Sequence, residues 1–258
     1  MSLPAHAELI AFANRLADAS GEVIRQYFRQ PVGIEQKQDS SPVTDADRAA
    51  ERALRALLEE RFPEHGIYGE EYGQRMGERY TWVLDPIDGT KSFINGMPTF
   101  GTLIALLDGA DPVLGIIDAP MLKERWVGAA GQPTEYNGSP CRTRARDNLA
   151  EAYMLSTSID MFQGRQLEQY EALSRRIRVR RFGGDCYAYG LLAMGFVDIV
   201  IEASMEPYDF LAMPPVVAQA GGVISDWEGK PLDLNSPGTV LAAASPELHG
   251  QALEVLRG

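Results

Sequence analysis

Apolar residues near the start of the chain recur at the three- and four-residue spacing of an amphipathic helix. The first run of this kind comprises Leu9, Phe12, Ala13, Leu16, Val23, Tyr27 and Phe28. After a polar loop at Gln36–Pro42, a second run predicts a helix from about Asp45 to Arg61. Thr44 and Asp47 have the spacing of a capping box at the start of that helix. The chain is therefore expected to open with two helices.

Short apolar runs separated by turn residues predict strands in the middle of the chain, with a hairpin turn at Asp108–Pro112. These strands are Trp82–Leu84, Thr102–Leu107, Val113–Ile117 and Arg125–Ala129. The second half is expected to alternate, with strands at Tyr153–Ser158, Ile177–Phe182, Val197–Ala203, Val223–Trp227 and Val240–Ala244. Its expected helices are Arg165–Arg176, Cys186–Met194, a segment from Asp209 to Gly221, and Pro246 to about Leu256. This pattern predicts a mixed α/β protein with layered helices and sheets.

The helix expected after Asp209 contains two prolines, Pro214 and Pro215. Proline is compatible with a helix in its first turn, but in the interior it removes a hydrogen bond and clashes with the preceding turn. We therefore expect this helix either to begin later than Asp209 or to bend at the prolines.

The composition disfavours several classes of protein. The 258 residues are 45% apolar and carry a formal net charge of −12. Because no long basic run is present, binding to DNA or RNA is not expected. An acidic protein that handles an anionic substrate needs local cations, and bound metal is one source of them.

The cysteines and histidines do not form a recognisable catalytic or metal pattern. Cys141 and Cys186 have neither CxxC spacing nor a disulfide framework, so we expect reduced thiols. His6, His65 and His249 do not share metal-ligand spacing, which disfavours a zinc site or a histidine triad. With no signal-peptide pattern and no apolar run of bilayer length, the sequence indicates a cytoplasmic enzyme without membrane contact.

The most informative segment is Asp85-Pro86-Ile87-Asp88-Gly89-Thr90, which follows an apolar strand. Pro86 has no amide hydrogen, so it interrupts the strand, and a tight bend there can aim both carboxylates at one point. Gly89 permits close approach of backbone amides to a ligand, and Thr90 stands where a phosphate-binding helix N-terminus can begin. Taken alone, the segment is equally compatible with an ordinary acidic turn.

Two further acidic clusters lie at element boundaries, at Glu70-Glu71 and around Asp209. Each has a simpler interpretation, as a solvated turn for the first and a helix cap for the second. Gathered by folding, however, such carboxylates would repel one another unless a cation lay between them. Oxygen ligands without imidazole or thiolate suit hard cations such as Mg²⁺.

Together with Val43-Thr44-Asp45-Ala46-Asp47 and Ala220-Gly221-Gly222, these segments resemble the inositol monophosphatase family. The likeness extends from the first helix to the last and is strongest in the run from Asp85 to Thr90. It implies a layered αβαβα sandwich of the inositol monophosphatase and fructose-1,6-bisphosphatase type. It also implies a single domain over residues 1–258, with lobes of approximately 1–150 and 151–258, and a homodimer.

The resemblance also implies roles for individual residues, and with them a cofactor of two or three Mg²⁺ ions. Glu70, Asp85 and the Ile87 carbonyl would hold one ion, and Asp85, Asp88 and Asp209 a second, with Glu70 near a weaker third. The amides of Gly89 and Thr90 would bind phosphate. Asp47 would pair with the Thr90 hydroxyl to activate the attacking water, and Lys37 would lie near the metals. The implied reaction is direct in-line attack of water on a phosphate monoester.

The substrate is expected to be a small phosphorylated metabolite, and two segments resemble the histidinol-phosphate phosphatase branch of the family. These are Gly183–Tyr189, with Asp185, and Pro207–Phe210. By resemblance Glu202 and Asp88 also contact the substrate. Histidinol is cationic, so Asp185 and Glu202 would form a suitable anionic wall. The reaction would release L-histidinol in histidine biosynthesis.

Other interpretations remain open at this point. Asp185 could instead cap the following helix, and Glu202 could be a surface acid at the end of a strand. Inositol 1-phosphate or a related sugar phosphate is the main alternative substrate. A regulatory binding protein on the same fold, or an acidic α/β domain without a site, is less favoured because Glu70, Asp85, Asp88 and Asp209 are all present.

Overall fold

The computed structural model describes residues 3–36 and 42–258, with side chains from residue 7 onward. Lys37 and most of the loop expected at Gln36–Pro42 lie outside the described residues. The helices are α1 Leu3–Tyr27, α2 Asp45–Arg61, α3 Thr90–Ile94, α4 Arg165–Ser174, α5 Tyr187–Ala193, α6 Pro207–Phe210, α7 Met213–Gln219 and α8 Pro246–Arg257.

The strands are β1 Ile34–Gln36, β2 Pro42–Thr44, β3 Gly66–Gly69, β4 Gly73–Arg75, β5 Tyr80–Asp88, β6 Gly101–Asp108, β7 Asp111–Ala119, β8 Glu124–Ala129, β9 Gln132–Tyr136, β10 Ser139–Pro140, β11 Tyr153–Ser156, β12 Val179–Phe182, β13 Ile199–Glu202, β14 Val223–Ser225 and β15 Val240–Ala243. In the described residues, β3 to β10 form an eight-stranded sheet in the order β10-β9-β8-β7-β6-β5-β3-β4. The second half forms a five-stranded sheet in the order β12-β11-β13-β15-β14.

Alternation of side chains along the strands divides the core into layers. On one face of the eight-stranded sheet, Trp82 and Leu84 pack with residues of α1 and α2 such as Leu16 and Leu54. On its other face, the intervening Val83 belongs to the cluster that contains residues of α5, α7 and the second sheet. The two helices at the start of the chain thus form the first layer.

The outer face of the five-stranded sheet is covered in the same way. Ile199 and Ile201 pack with residues of α4 and α8, including Leu173 and Leu248, whereas Val200 points to the central cluster. The order of layers is therefore α1 and α2, the first sheet, α5 and α7, the second sheet, and α4 and α8. This is the expected αβαβα sandwich.

The helix predicted after Asp209 is two helices, α6 and α7, with a break between them. Pro214 and Pro215 lie in the first turn of α7, where proline costs no helical hydrogen bond. This start of α7 lies directly on the first sheet, because a Cβ on Gly115 would meet the Ala212 carbonyl oxygen at 2.0 Å. Asp209 lies in α6, before the break, so Pro214 and Pro215 do not affect its helix.

The sequence pattern did not predict several of the observed strands, notably β3, β4, β9 and β10, which are short or lie near the polar edge of the sheet. None of the described helices is long and apolar enough to cross a membrane.

Candidate active site

A cleft of about 780 Å³ opens between the ends of the two sheets. It is lined by nearly all of the predicted site residues: Glu70, Asp85, Ile87, Asp88, Gly89, Thr90, Asp185, Glu202 and Asp209. Asp47 lies behind this lining and is almost fully buried. Folding therefore gathers residues from the first sheet, from α6 and from the second sheet around one volume.

Asp85 and Asp88 are brought to the same side by a bulge in β5. Residues three apart in a regular strand point to opposite faces. Here Asp85 pairs with Leu103 of β6 and Asp88 pairs with Gly101 of β6. Three residue steps along β5 therefore lie opposite two steps along β6. The Asp85 carboxylate accepts a hydrogen bond from the Ile87 amide at 3.0 Å, which stabilises the bend. The extra residue converts an opposed pair into a convergent one.

Asp209 joins this pair from the other half of the chain. Carboxylate oxygens of Asp85, Asp88 and Asp209 all lie within 4.8 Å of one another. Backbone amides orient two of them, since Cys186 N–H donates to Asp88 at 2.5 Å and Glu206 N–H donates to Asp209 at 2.8 Å.

The protonation equilibria of this cluster reflect its burial and its accumulated charge. Burial and the nearby carboxylates of Glu70, Asp88 and Asp209 raise the pKa of Asp85 well above its ordinary range. The pKa of Asp88 is raised in the same way, and that of Asp209 reaches about 8, again chiefly through burial. A divalent cation would remove this repulsion and keep the groups ionised. The donor set, made of carboxylate oxygens without nitrogen or sulfur, fits a hard cation.

Glu70 lies at the rim of the same cleft but is not one of the three convergent carboxylates. It follows β3, and its amide donates to the Leu84 carbonyl of β5 at 3.2 Å. Its charge and a side-chain hydrogen bond with Asp85 both contribute to the raised pKa of Asp85, after burial.

Asp47 and Thr90 meet beside the cluster. One Asp47 oxygen accepts from the Thr44 amide at 2.8 Å and from the Thr44 hydroxyl at 2.5 Å, which completes the predicted capping box of α2. The other Asp47 oxygen lies 3.3 Å from the Thr90 hydroxyl oxygen, which also lies 3.2 Å from the Ile87 carbonyl oxygen. Burial raises the pKa of Asp47.

Gly89 is the N-cap residue that precedes the short helix α3, and it adopts the left-handed conformation, with φ of 86°. A Cβ at this position would also lie 2.6 Å from the Asp185 carboxyl carbon. Both observations require glycine, the first because of backbone strain and the second because of space. Gly89 and Thr90 both border the cleft at this helix start.

Asp185 also adopts a left-handed conformation, with φ of 45°. It does not cap the helix through its side chain; its carboxylate accepts from the Ser92 hydroxyl at 2.6 Å. The side chain borders the cleft and is mostly buried. Burial raises its pKa, while Ser92 and Lys91 lower it.

Glu202 is not a surface acid, because only 2% of it is exposed. Its carboxylate accepts from the Thr157 hydroxyl at 2.5 Å, the Thr157 amide at 3.0 Å and the Tyr189 hydroxyl at 2.8 Å. Burial raises the pKa of Glu202 to about 7, although these hydrogen bonds act to lower it.

Sequence reasoning missed the partners of these acids, namely Ser92, Thr157 and Tyr189, and the cleft residues Lys91 and Asp160. Glu206 and Tyr208 lie in the segment singled out around Asp209 but were given no role of their own. The predicted strands Tyr153–Ser158 and Val197–Ala203 contain Thr157 and Glu202, so no signal in the sequence indicates their contact. In the structure Thr157 directly follows β11 and Glu202 is the last residue of β13.

Comparisons with known proteins identify the relatives of this chain. A family model described as the inositol monophosphatase family matches residues 5–258. The bifunctional phosphatase IMPL2, chloroplastic, of Arabidopsis thaliana is 50% identical over 256 residues, which are 95% of this chain and 74% of that protein. A histidinol-phosphatase of Chlorobaculum parvum is 33% identical over 236 residues, which are 90% of this chain and 91% of that protein. The structure of an inositol monophosphatase from Zymomonas mobilis superposes with a TM-score of 0.91 at 44% identity, covering 100% of both chains.

Proposed function

The chain belongs to the inositol monophosphatase family and is a phosphoric monoester hydrolase, and from that premise we propose that its main substrate is histidinol phosphate. The reaction would convert L-histidinol phosphate and water to L-histidinol and phosphate, a step in histidine biosynthesis. Relatives named histidinol-phosphatase, at 32 to 36% identity, support this choice. Since the inositol monophosphatase from Zymomonas mobilis is 44% identical, the choice of substrate rests on the cleft and not on sequence identity.

The observation that carries the choice of substrate is the charge of the cleft residues other than the metal-ligand candidates. Asp160, Asp185, Glu202 and Glu206 also border the cleft, and Lys91 is the cation among its described lining residues. Histidinol carries an ammonium group and an imidazole, and both gain from this anionic surface when protonated. Inositol is neutral and has no such advantage.

Family members are metal-dependent, and the acidic cluster fits a hard cation. The proposed ligands are Glu70, Asp85, Asp88, Asp209 and the Ile87 carbonyl, for two or three Mg²⁺ ions. When bound, the ions supply charge neutralisation at the phosphate oxygens and increase the acidity of coordinated water.

The protein's own groups would perform the remaining tasks. The amides of Gly89 and Thr90, two residues that border the cleft, would hold the phosphate oxygens. The Thr90 hydroxyl, with Asp47 as its acceptor, would orient water and take up its proton. Asp185 and Glu202 would hold the departing alcohol, with Asp88 beside it.

The test compares phosphate release from histidinol phosphate and inositol 1-phosphate with Mg²⁺ present. Asp185→Asn removes the negative charge, keeps an acceptor for Ser92 and tolerates the left-handed backbone. We expect it to raise the KM for histidinol phosphate about tenfold, equivalent to about 1.4 kcal/mol, and to leave inositol 1-phosphate unaffected. Ser92→Ala is the matched control, because it removes the hydrogen bond and keeps the charge. Equal turnover of both substrates, unchanged in Asp185→Asn, would refute the assignment.

Three further properties are proposed with this function. The cleft takes residues from both predicted lobes, which supports action of the chain as one domain. A homodimer is supported by apolar residues exposed on the edge strand β12, Val179 and Phe182, and sedimentation equilibrium tests it. A reducing compartment, the cytoplasm, is supported by the free thiols Cys141 and Cys186, and fractionation of cells tests it.

A further inference from the structure

The loop that carries Glu70 connects β3 to β4 and is held from beneath by a side chain of α2. The Glu51 carboxylate accepts hydrogen bonds from the Glu71 amide at 2.7 Å and the Tyr72 amide at 3.2 Å. The Glu70 amide itself is bonded to the Leu84 carbonyl of β5. The backbone on both sides of the Glu70 side chain is therefore fixed by contacts with other elements.

Glu51 is fully buried, and its charge is balanced locally. The Arg55 Nε atom, one helical turn further along α2, donates to it at 2.7 Å. Arg55 also donates to the Gly73 carbonyl, at the far end of the same loop. Removing one partner of such a buried, paired group leaves the other without compensation.

Gly69 shows how closely the loop is wrapped around this carboxylate. A Cβ at Gly69 would lie 2.0 Å from a Glu51 carboxylate oxygen, so a larger residue there would displace the carboxylate from its present position. Gly69 does not have a positive φ, so the close approach is the reason that glycine suits this position.

The position of Glu51 on α2 connects it to the rest of the site. It follows Asp47 by four residues, so both buried carboxylates lie on one face of the same helix. Asp47 meets Thr90 near the start of α2, and Glu51 meets the Glu70 loop one turn later. A single rigid helix thus sets both positions relative to β5.

We propose that Glu51 is a positioning residue that holds Glu70 at the distance from Asp85 and Asp47 that metal binding requires. The inference rests on the proposed function, in which Glu70 is a metal ligand. Glu51 does not touch the cleft; it acts through the backbone amides of the loop. Its loss is therefore expected to weaken Mg²⁺ binding.

The experiment measures Mg²⁺ binding directly, by calorimetric titration of the full chain with MgCl₂. Glu51→Gln keeps the size of the side chain, but an amide group replaces one acceptor and the charge that pairs with Arg55. Mutation of a residue that supports a metal ligand through hydrogen bonds typically lowers metal affinity 10- to 100-fold. We expect the Kd for Mg²⁺ to rise about tenfold, and saturating Mg²⁺ to restore kcat without a change in the KM for substrate.

Asp198→Asn is the matched control. Asp198 is also fully buried, and it accepts from Arg144 at 2.5 Å and from the Tyr153 amide at 2.8 Å. It does not border the cleft. We expect this variant to lose thermal stability while keeping its Kd for Mg²⁺ within about twofold. An equal rise of Kd in both variants would assign the effect to general destabilisation and overturn the proposal.

Glu70→Gln separates this inference from the proposed function. A raised Kd in Glu70→Gln with no change in Glu51→Gln would overturn the positioning role and leave the metal site intact. No change in either variant would refute Glu70 as a ligand. If Glu51→Gln does not fold, Arg55→Met removes the cation and the Gly73 contact while keeping the Glu51 carboxylate. We expect a smaller rise of about threefold there, and an unchanged Kd would overturn the proposal.

Discussion

Replacing Asp209 with asparagine is expected to stabilise the metal-free protein while abolishing its metal-dependent activity. Burial, with the charges of Glu70 and Glu202, raises the pKa of Asp209 to about 8 from its ordinary value of 3.8. Asparagine has no charge to bury, and its amide oxygen can still accept from the Glu206 amide that Asp209 now bonds at 2.8 Å. The substitution therefore removes the electrostatic cost and keeps the cap of α6.

The magnitude follows from the pKa difference. Each pKa unit corresponds to about 1.4 kcal/mol, and about three units separate 3.8 from pH 7, so the ionisable group costs at most about 4 kcal/mol at pH 7. Because the folded state binds the proton more tightly, this contribution destabilises the protein progressively as the pH rises from 3.8 to about 8. The advantage of the variant should grow across that window and become constant above it.

The assay is urea denaturation in the presence of EDTA at pH 5, 7 and 8, followed by tryptophan fluorescence. The variant should unfold at higher urea than the parent at pH 7, and by a larger margin at pH 8 than at pH 5. Added Mg²⁺ should stabilise only the parent, by mass action on the folded state. If the variant in EDTA unfolds at lower urea than the parent at pH 7, the argument from buried charge is wrong.

Two other predictions concern Thr90 and His65. Thr90→Val removes the hydroxyl that contacts Asp47 and should lower kcat by at least about 100-fold, whereas Thr90→Ser should retain most activity. Phosphate-release kinetics at saturating Mg²⁺ distinguish the two variants. Equal losses of kcat in both would contradict the role of the hydroxyl. Burial lowers the pKa of His65, whose ring nitrogen accepts a hydrogen bond from the Trp82 indole at 3.1 Å. The neutral His65 side chain therefore contributes to stability above its ordinary pKa of 6.5, and this contribution is lost as the pH falls toward the lower pKa of the folded state. His65→Phe should therefore show a smaller loss of Tm between pH 7 and pH 5.5, measured by calorimetry with Mg²⁺ bound, and an unchanged slope would contradict this.

The features that could be predicted from the sequence are those whose cause is local. The helix α2 was predicted with its observed bounds, because its apolar spacing and its cap are contained in one segment. The family resemblance, carried by the run from Asp85 to Thr90, supplied the sandwich, which periodicity alone indicated only as layers of helix and sheet.

The features that could not be predicted depend on contacts between distant segments. Glu202 is bonded to Thr157, 45 positions away, and Asp185 to Ser92, 93 positions away. No local pattern indicates that these acids are buried and hydrogen-bonded. The bulge in β5 is an intermediate case, since Pro86 indicated an interruption but the added residue is defined only by the pairing with β6.

The way in which buried carboxylates are compensated separates the cleft from the rest of the molecule. Asp118 and Asp198 are buried and each forms an ion pair with an arginine. Within the described part of the chain, no lysine or arginine forms an ion pair with the three convergent carboxylates, which are oriented by backbone amides: Ile87 N–H for Asp85, Cys186 N–H for Asp88 and Glu206 N–H for Asp209. An amide fixes direction without neutralising charge, so the repulsion within the cluster raises the pKa values of its carboxyl groups, and a mobile cation can take the place of the bound protons. An arginine in the same place would stabilise the fold but would occupy the position that the cation needs.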